Sequence, residues 1–181
     1  MHATARVSTE STAAATSPVS PLRSRLEELM RLVLTLPADA YCARGSRVSG
    51  SVGEHVRHTL DHISSLVSAS PSNVLSYDHR SRGTALETEP SVAVREMMRL
   101  DAALERWSER SLDEPVTVVA MMSADGQAVT GWSTLARELA FVMSHTVHHQ
   151  AIVALLLEQL GVQSPSERFG YAPSTPGRSR P

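Results

Sequence analysis

The amino-acid sequence predicts an all-α fold: a four-helix bundle with long connections between some helices and a small β-hairpin between helices three and four. Three observations lead there. Four segments carry apolar residues at helical spacing, capping and breaking residues mark their ends, and a single pair of short β-branched runs interrupts them. A length of 181 residues, 41% of them apolar, suits one domain with a sizeable core.

The first helix is expected from about Pro21 to Leu36, with Leu26, Leu29, Met30, Leu32, Val33 and Leu36 on one face. Pro21 fits the first turn, where a missing N–H costs nothing, and Pro37 ends the helix. The second covers about Ser51 to Ser68, opened by Ser51 with Glu54 three residues on, a capping box. The third runs from about Ser91 to Arg110, with Val92, Val94, Met97, Met98, Leu100, Leu104 and Trp107. A run from Pro115, an Asp125-Gly126 turn and a second run to Trp132 read as a hairpin that caps the bundle. The fourth helix, about Ser133 to Leu160, takes Ser133 as its N-cap and Gly161 as its C-terminal stop. Residues 1–20 are small and polar and read as a disordered tail, 21–164 as the bundle, and 165–181 as a surface coil.

Composition narrows the function classes. A net charge of -2, from 17 basic and 19 acidic residues, offers no basic footprint for nucleic acid or a membrane surface. No apolar run reaches the ~20 residues of a spanning helix, and no export signal is recognisable, which points to the cytoplasm. The one cysteine, Cys42, cannot form an internal disulfide or a Cys-rich zinc site, so any metal must be held by His, Asp or Glu. All 17 basic residues are Arg, which excludes Schiff-base chemistry on lysine.

The 8 histidines are the unusual feature, because most of them sit in two tight groups. His145 and His149, spaced i and i+4, project from one face of the fourth helix, in the stripe that carries Val142, Ile152 and Leu156. That spacing lets two imidazoles reach one ion; His148 lies about 60° to the side and is less well placed. On the second helix His55, His58 and His62 fall within an arc of roughly 60°. Any of the three could supply a third ligand from a facing helix, leaving coordination positions open for water or substrate. Burying several imidazoles without a shared ion would strand polar groups in the core.

These motifs, Ser51-Val-Gly-Glu-His-Val-Arg-His58 and His145-Thr-Val-His-His149-Gln, resemble the DinB-like (DinB/YfiT) superfamily of four-helix bundles with a His-triad metal site. The resemblance covers about Leu22 to Thr175 and extends to Tyr77-Asp-His-Arg80-Ser-Arg82 and Phe169-Gly-Tyr-Ala-Pro-Ser-Thr175. It implies metal ligands at His58, His145 and His149. Helix periodicity dissents, since Val52, Val56, Ile63 and Leu66 centre closer to His55 and His62 than to His58. His55 is therefore held as first reserve. The resemblance further implies a small-molecule substrate, a homodimer and, in some relatives, transferase or isomerase chemistry on mycothiol, bacillithiol or glutathione.

The function expected is that of a divalent-metal-dependent enzyme, a thiol-dependent transferase or isomerase, or a hydrolase. Three neutral imidazoles suit zinc, nickel or iron, and leave the ion enough positive charge to activate a bound thiol or water. The alternative is a non-catalytic, stress-related dimer that binds metal structurally. His55 and Arg80 are candidate substrate-binding residues, with Arg80 and Arg82 in a loop that overhangs the site or, more blandly, is anchored to Glu87 or Glu89. Glu138, two turns before His145, is read as a partner of the site or as an exposed or capping residue. Met97, Met98, Met121, Met122 and Met143, and the two tryptophans, Trp107 and Trp132, are expected as packing residues, and Cys42 as a spectator.

Overall fold

The computed structural model describes residues 17–176; most of the segment read as a disordered tail, and the last residues of the expected coil, lie outside the described residues. The fold is mostly helical with a small three-stranded sheet. Helix α1 spans Ser20–Thr35 with Pro21 in its first turn, and buries Leu22, Leu26, Leu29, Leu32 and Val33. Those positions recur every three or four residues and make one stripe along the helix. A short α2, Ala38–Cys42, follows directly and buries Tyr41, whose hydroxyl donates to the Leu86 carbonyl at 2.7 Å.

Helix α3, Val52–Val67, begins with the expected capping box: Ser51 Oγ accepts from the Glu54 N–H, and the Glu54 carboxylate accepts from the Ser51 N–H at 2.8 Å. Helix α4 is a single turn, Ala85–Thr88, and α5 runs Pro90–Arg106 before a tighter turn over Trp107–Glu109. Helix α6 spans Leu135–Gln159. It ends where Gly161 takes a φ of +68°, with the Val162 N–H on the Leu157 carbonyl and the Gly161 N–H on that of Glu158. Both bonds satisfy carbonyls that the helix leaves open, and the left-handed backbone explains the glycine.

Helix α3 packs against α5 and α6, and α1 packs against the same two, so the four long helices contact one another in a closed cycle. Leu26, Leu60, Ile63, Met97, Leu100, Leu104 and Leu156 fill the space between them. Each such side chain contributes on the order of 2 kcal/mol when removed from water.

Five expectations are corrected here. The N-cap of α6 is Thr134, which accepts from the Arg137 N–H, and not Ser133. Ser133 belongs to a strand, and its hydroxyl donates to Glu138 at 2.6 Å. The hairpin of β2, Pro115–Met121, and β3, Ala128–Thr134, is present with Val118 opposite Gly131, but a third strand, β1 (Val74–Ser76), pairs with β2 in parallel. Trp132 does not pack: it is 85% exposed on β3, while Trp107 is buried. Among the methionines Met97 is buried and Met143 packs on the core, but Met98, Met121 and Met122 are exposed. Helix α6 is, alone among the described helices, long and apolar enough to cross a membrane. Its Leu135, Val142, Val153, Leu156 and Leu157 lie in the core and its Arg137, Ser144, His148 and Glu158 are exposed, the pattern of an amphipathic core helix. Beyond α6 the chain has no regular structure up to residue 176, yet Phe169 is buried against the core.

Candidate metal centre

Because α3 and α6 are packed side by side, the two histidine groups meet. His58 Nε2 lies 3.1 Å from His145 Nε2, and His55 Nδ1 lies 3.0 Å from His149 Nδ1. One ring nitrogen from each of His58, His62 and His145 falls within 4.8 Å of the others. His148 is exposed, its ring 6.3 Å from that of His145. The contacts join residues 87 and 94 positions apart in the chain.

Distance selects His62 as the third member beside His58 and His145, and the ring planes of the cluster differ in how they cross. A nitrogen lone pair lies in the plane of its ring, so imidazoles converging on one ion must have intersecting planes. His58 meets His145 at 72° and His149 at 75°, and His145 meets His149 at 58°. His62 crosses His58 at 76°, but it lies nearly parallel to His145, at 19° with centroids 3.9 Å apart, and nearly parallel to Tyr77, at 9° and 5.2 Å. Face-to-face stacking aims the His62 and His145 lone pairs along separate planes. His62 also donates from Nδ1 to the His58 carbonyl at 3.0 Å, which orients its ring.

The cluster is held neutral. Burial, reinforced by neighbouring imidazoles, pushes His58 down to about 3, His145 to about 4 and His149 to about 2, and burial lowers His62 as well. The positive charge of Arg80 acts in the same direction on His58, His62 and His145. Neutral imidazole is the form that ligates metal. In the metal-free protein these groups also set an acid sensitivity. Below pH 6.5 the unfolded chain takes up protons that the folded cluster refuses, so stability is complete above 6.5 and falls as pH drops toward 4 and 3. Urea midpoints of metal-free protein between pH 7.5 and 4.5 should fall steadily, and those of a His149→Gln variant should fall less steeply. Equal slopes would show that His149 is not buried as described.

An open cavity of about 620 Å³ adjoins the cluster, lined by His55, His58 and His149, with Arg57, Arg80 and Arg82. Of the candidates, the rings of His58, His145 and His149 are neighbours, the closest set of ring nitrogens has His62 in place of His149, and His55 and Arg80 reach the same cavity. The arginines of the loop are not anchored as the bland reading expected. Glu87 accepts from Arg57 Nε at 2.9 Å and from the Gly83 N–H at 3.0 Å. The side chains of Arg80 and Arg82 make no hydrogen bond or ion pair among the described residues. Both ring nitrogens of His55 are engaged, Nδ1 with His149 and Nε2 with the Ser49 carbonyl at 3.0 Å.

Glu138 is fully buried, neither exposed nor a cap, and one of its oxygens accepts from Ser133 Oγ and from Arg137 at 2.9 Å. Burial, reinforced by the Glu138 carboxylate, pushes the Tyr77 hydroxyl up. Tyr77 is the residue that sequence reasoning passed over as a contact of the cluster. Its place in the Tyr77-Asp-His-Arg80 motif was visible, but nothing local says that its ring stacks on His62.

Comparison with known proteins gives the family of the chain. The family described as the DinB family matches residues 20–174, which takes in every described helix. The chain belongs to the DinB family. This DinB-family chain is 34% identical over 103 residues to FK506-binding protein 5 of Rhizopus delemar. The match covers 56% of the DinB-family chain and 26% of that relative, so it spans about a quarter of the relative's length. No solved structure matches.

Proposed function

We propose that this DinB-family protein is a divalent-metal-dependent enzyme, built as a four-helix bundle of α1, α3, α5 and α6, with His58, His145 and His149 as its ligands. The observation that carries this reading is the steep mutual inclination of those three neutral rings beside an open cavity. A divalent ion such as zinc, nickel or iron, when bound, lowers the pKa of a thiol or water on it and so supplies a nucleophile near neutral pH. His58 and His149 line the cavity, which leaves the ion's remaining positions accessible to a small-molecule substrate or a low-molecular-weight thiol. Arg80 brings unpaired donors to the same wall and would hold an anionic group of the substrate. Arg57 is not available for this, since Glu87 and Asp61 already occupy its guanidinium. Thiol transfer, isomerisation and hydrolysis all fit a site of this kind, in a cytoplasmic homodimer.

Elemental analysis of untagged protein tests the assignment. About one equivalent of zinc, nickel or iron is expected, absent from a His145→Ala/His149→Ala double variant and retained in His62→Phe, which keeps the stack but removes the lone pair. Loss in His62→Phe would move the third ligand to His62. No uptake of any of the three metals on reconstitution would overturn the metalloenzyme. A metal that is bound but unreachable by a small thiol would instead favour the non-catalytic dimer.

A further inference from the structure

We infer that His55 is a positioning residue: it carries a hydrogen-bond relay from the Ser49 carbonyl to His149 that leaves His149 Nε2 as the bare lone pair of its ring.

Each assignment in the relay follows from the one before. A carbonyl oxygen only accepts, so the His55 nitrogen 3.0 Å from Ser49 O, Nε2, must carry its ring's proton. A neutral imidazole has one N–H, so His55 Nδ1 is an acceptor. The nitrogen 3.0 Å from it, His149 Nδ1, must then be the donor, and the single proton of the His149 ring is used up there. The opposite tautomer would set two lone pairs against each other at that distance, with His149 only 8% exposed and little water to separate them.

The start of the relay is built into the entry of α3. Gly50 holds a φ of +92°, and a Cβ there would lie 2.9 Å from the Glu54 carboxylate and 3.2 Å from His55 Nε2. Only glycine lets the backbone turn this closely under the ring, and the turn is what aims the Ser49 carbonyl at His55. The capping box then fixes the first turn of α3 on the far side of the same glycine. A backbone acceptor behind an imidazole is the arrangement that settles which nitrogen is free to ligate.

The relay also accounts for the reach of His55 into the cavity without a free nitrogen. It acts on the ion through another residue, and not on the substrate. This inference rests on the metal reading of the preceding section only for its affinity arm.

Metal-free protein with ¹⁵N-labelled histidine, at pH 7.5, gives the direct test. Long-range ¹H–¹⁵N correlations, with His149 assigned by its loss in His149→Gln, should show His149 protonated on Nδ1. In His55→Phe the two tautomers should mix, and zinc affinity measured against a competing chelator should fall about 10- to 100-fold, the usual loss when such a partner is removed. His55→Gln, whose amide oxygen can accept the same proton, should restore most of both, and it separates loss of the relay from loss of fold. A His149 proton on Nε2 in the wild type would overturn the relay. So would an unchanged tautomer and affinity in His55→Phe, or a complete loss of zinc there matching His149→Gln, which would make His55 a ligand. If the wild type binds no zinc, the metal reading fails, and the tautomer alone decides the relay.

Discussion

Replacing Gly53 by alanine should destabilise the protein by about 3 kcal/mol, although the change favours a helix. Gly53 lies inside α3, where alanine is better than glycine by ~1 kcal/mol in an open helix. The packing outweighs that gain. A Cβ at this position would sit 2.1 Å from the Glu87 carbonyl oxygen and 2.7 Å from the Tyr41 ring, and the first of these is backbone that no rotamer change can clear. Helix α4 would have to lift from α3, straining both the Arg57–Glu87 pair and the Tyr41–Leu86 bond that dock it. For a 181-residue chain that loss corresponds to a Tm lower by roughly 6 to 12 °C. A Gly53→Ala protein as stable as the wild type by thermal unfolding would mean that α4 does not approach α3 this closely.

Arg57→Ala is expected to cost about 3 to 5 kcal/mol, through the charges it leaves behind. The Arg57 side chain is 7% exposed and bonds Asp61 and Glu87 at 2.9 Å each, with those partners 16% and 12% exposed. Removing the guanidinium strands two largely buried carboxylates, whereas removing the pair together does not. A double variant, Arg57→Leu/Glu87→Leu, should therefore recover most of the loss in urea unfolding, leaving Asp61 to reach water. If the double variant is as unstable as Arg57→Ala, then lost packing, and not uncompensated charge, is the cause.

The parts of the fold that were legible in the sequence are those whose physics closes within a few residues. The Ser51–Glu54 capping box spans one turn of chain. Pro21 at a helix start and Gly161 at a helix end are single-residue backbone constraints, and the i,i+4 spacing of His145 and His149 is intrinsic to any helix. The misread parts depend on distant partners. Strand β1 has three residues and no pattern of its own, and exists because β2 lies beside it. Ser133 and Thr134 are both good caps by type, and the extent of β3 decides between them. Trp132 is apolar by composition, but among the described residues no element covers it where it stands on β3.

By itself the sequence determined a largely helical chain with an imidazole cluster on each of two helices, because helical periodicity is a property of the backbone. Only the tertiary structure decided what those imidazoles are to each other. The packing of α6 on α3 turned His58, His145 and His149 across one another, laid His62 flat between ring systems and set His55 behind His149. Spacing along one helix places side chains on a face, but the angle between ring planes and the proton on each nitrogen depend on what stands opposite, and that is supplied by residues some ninety positions away.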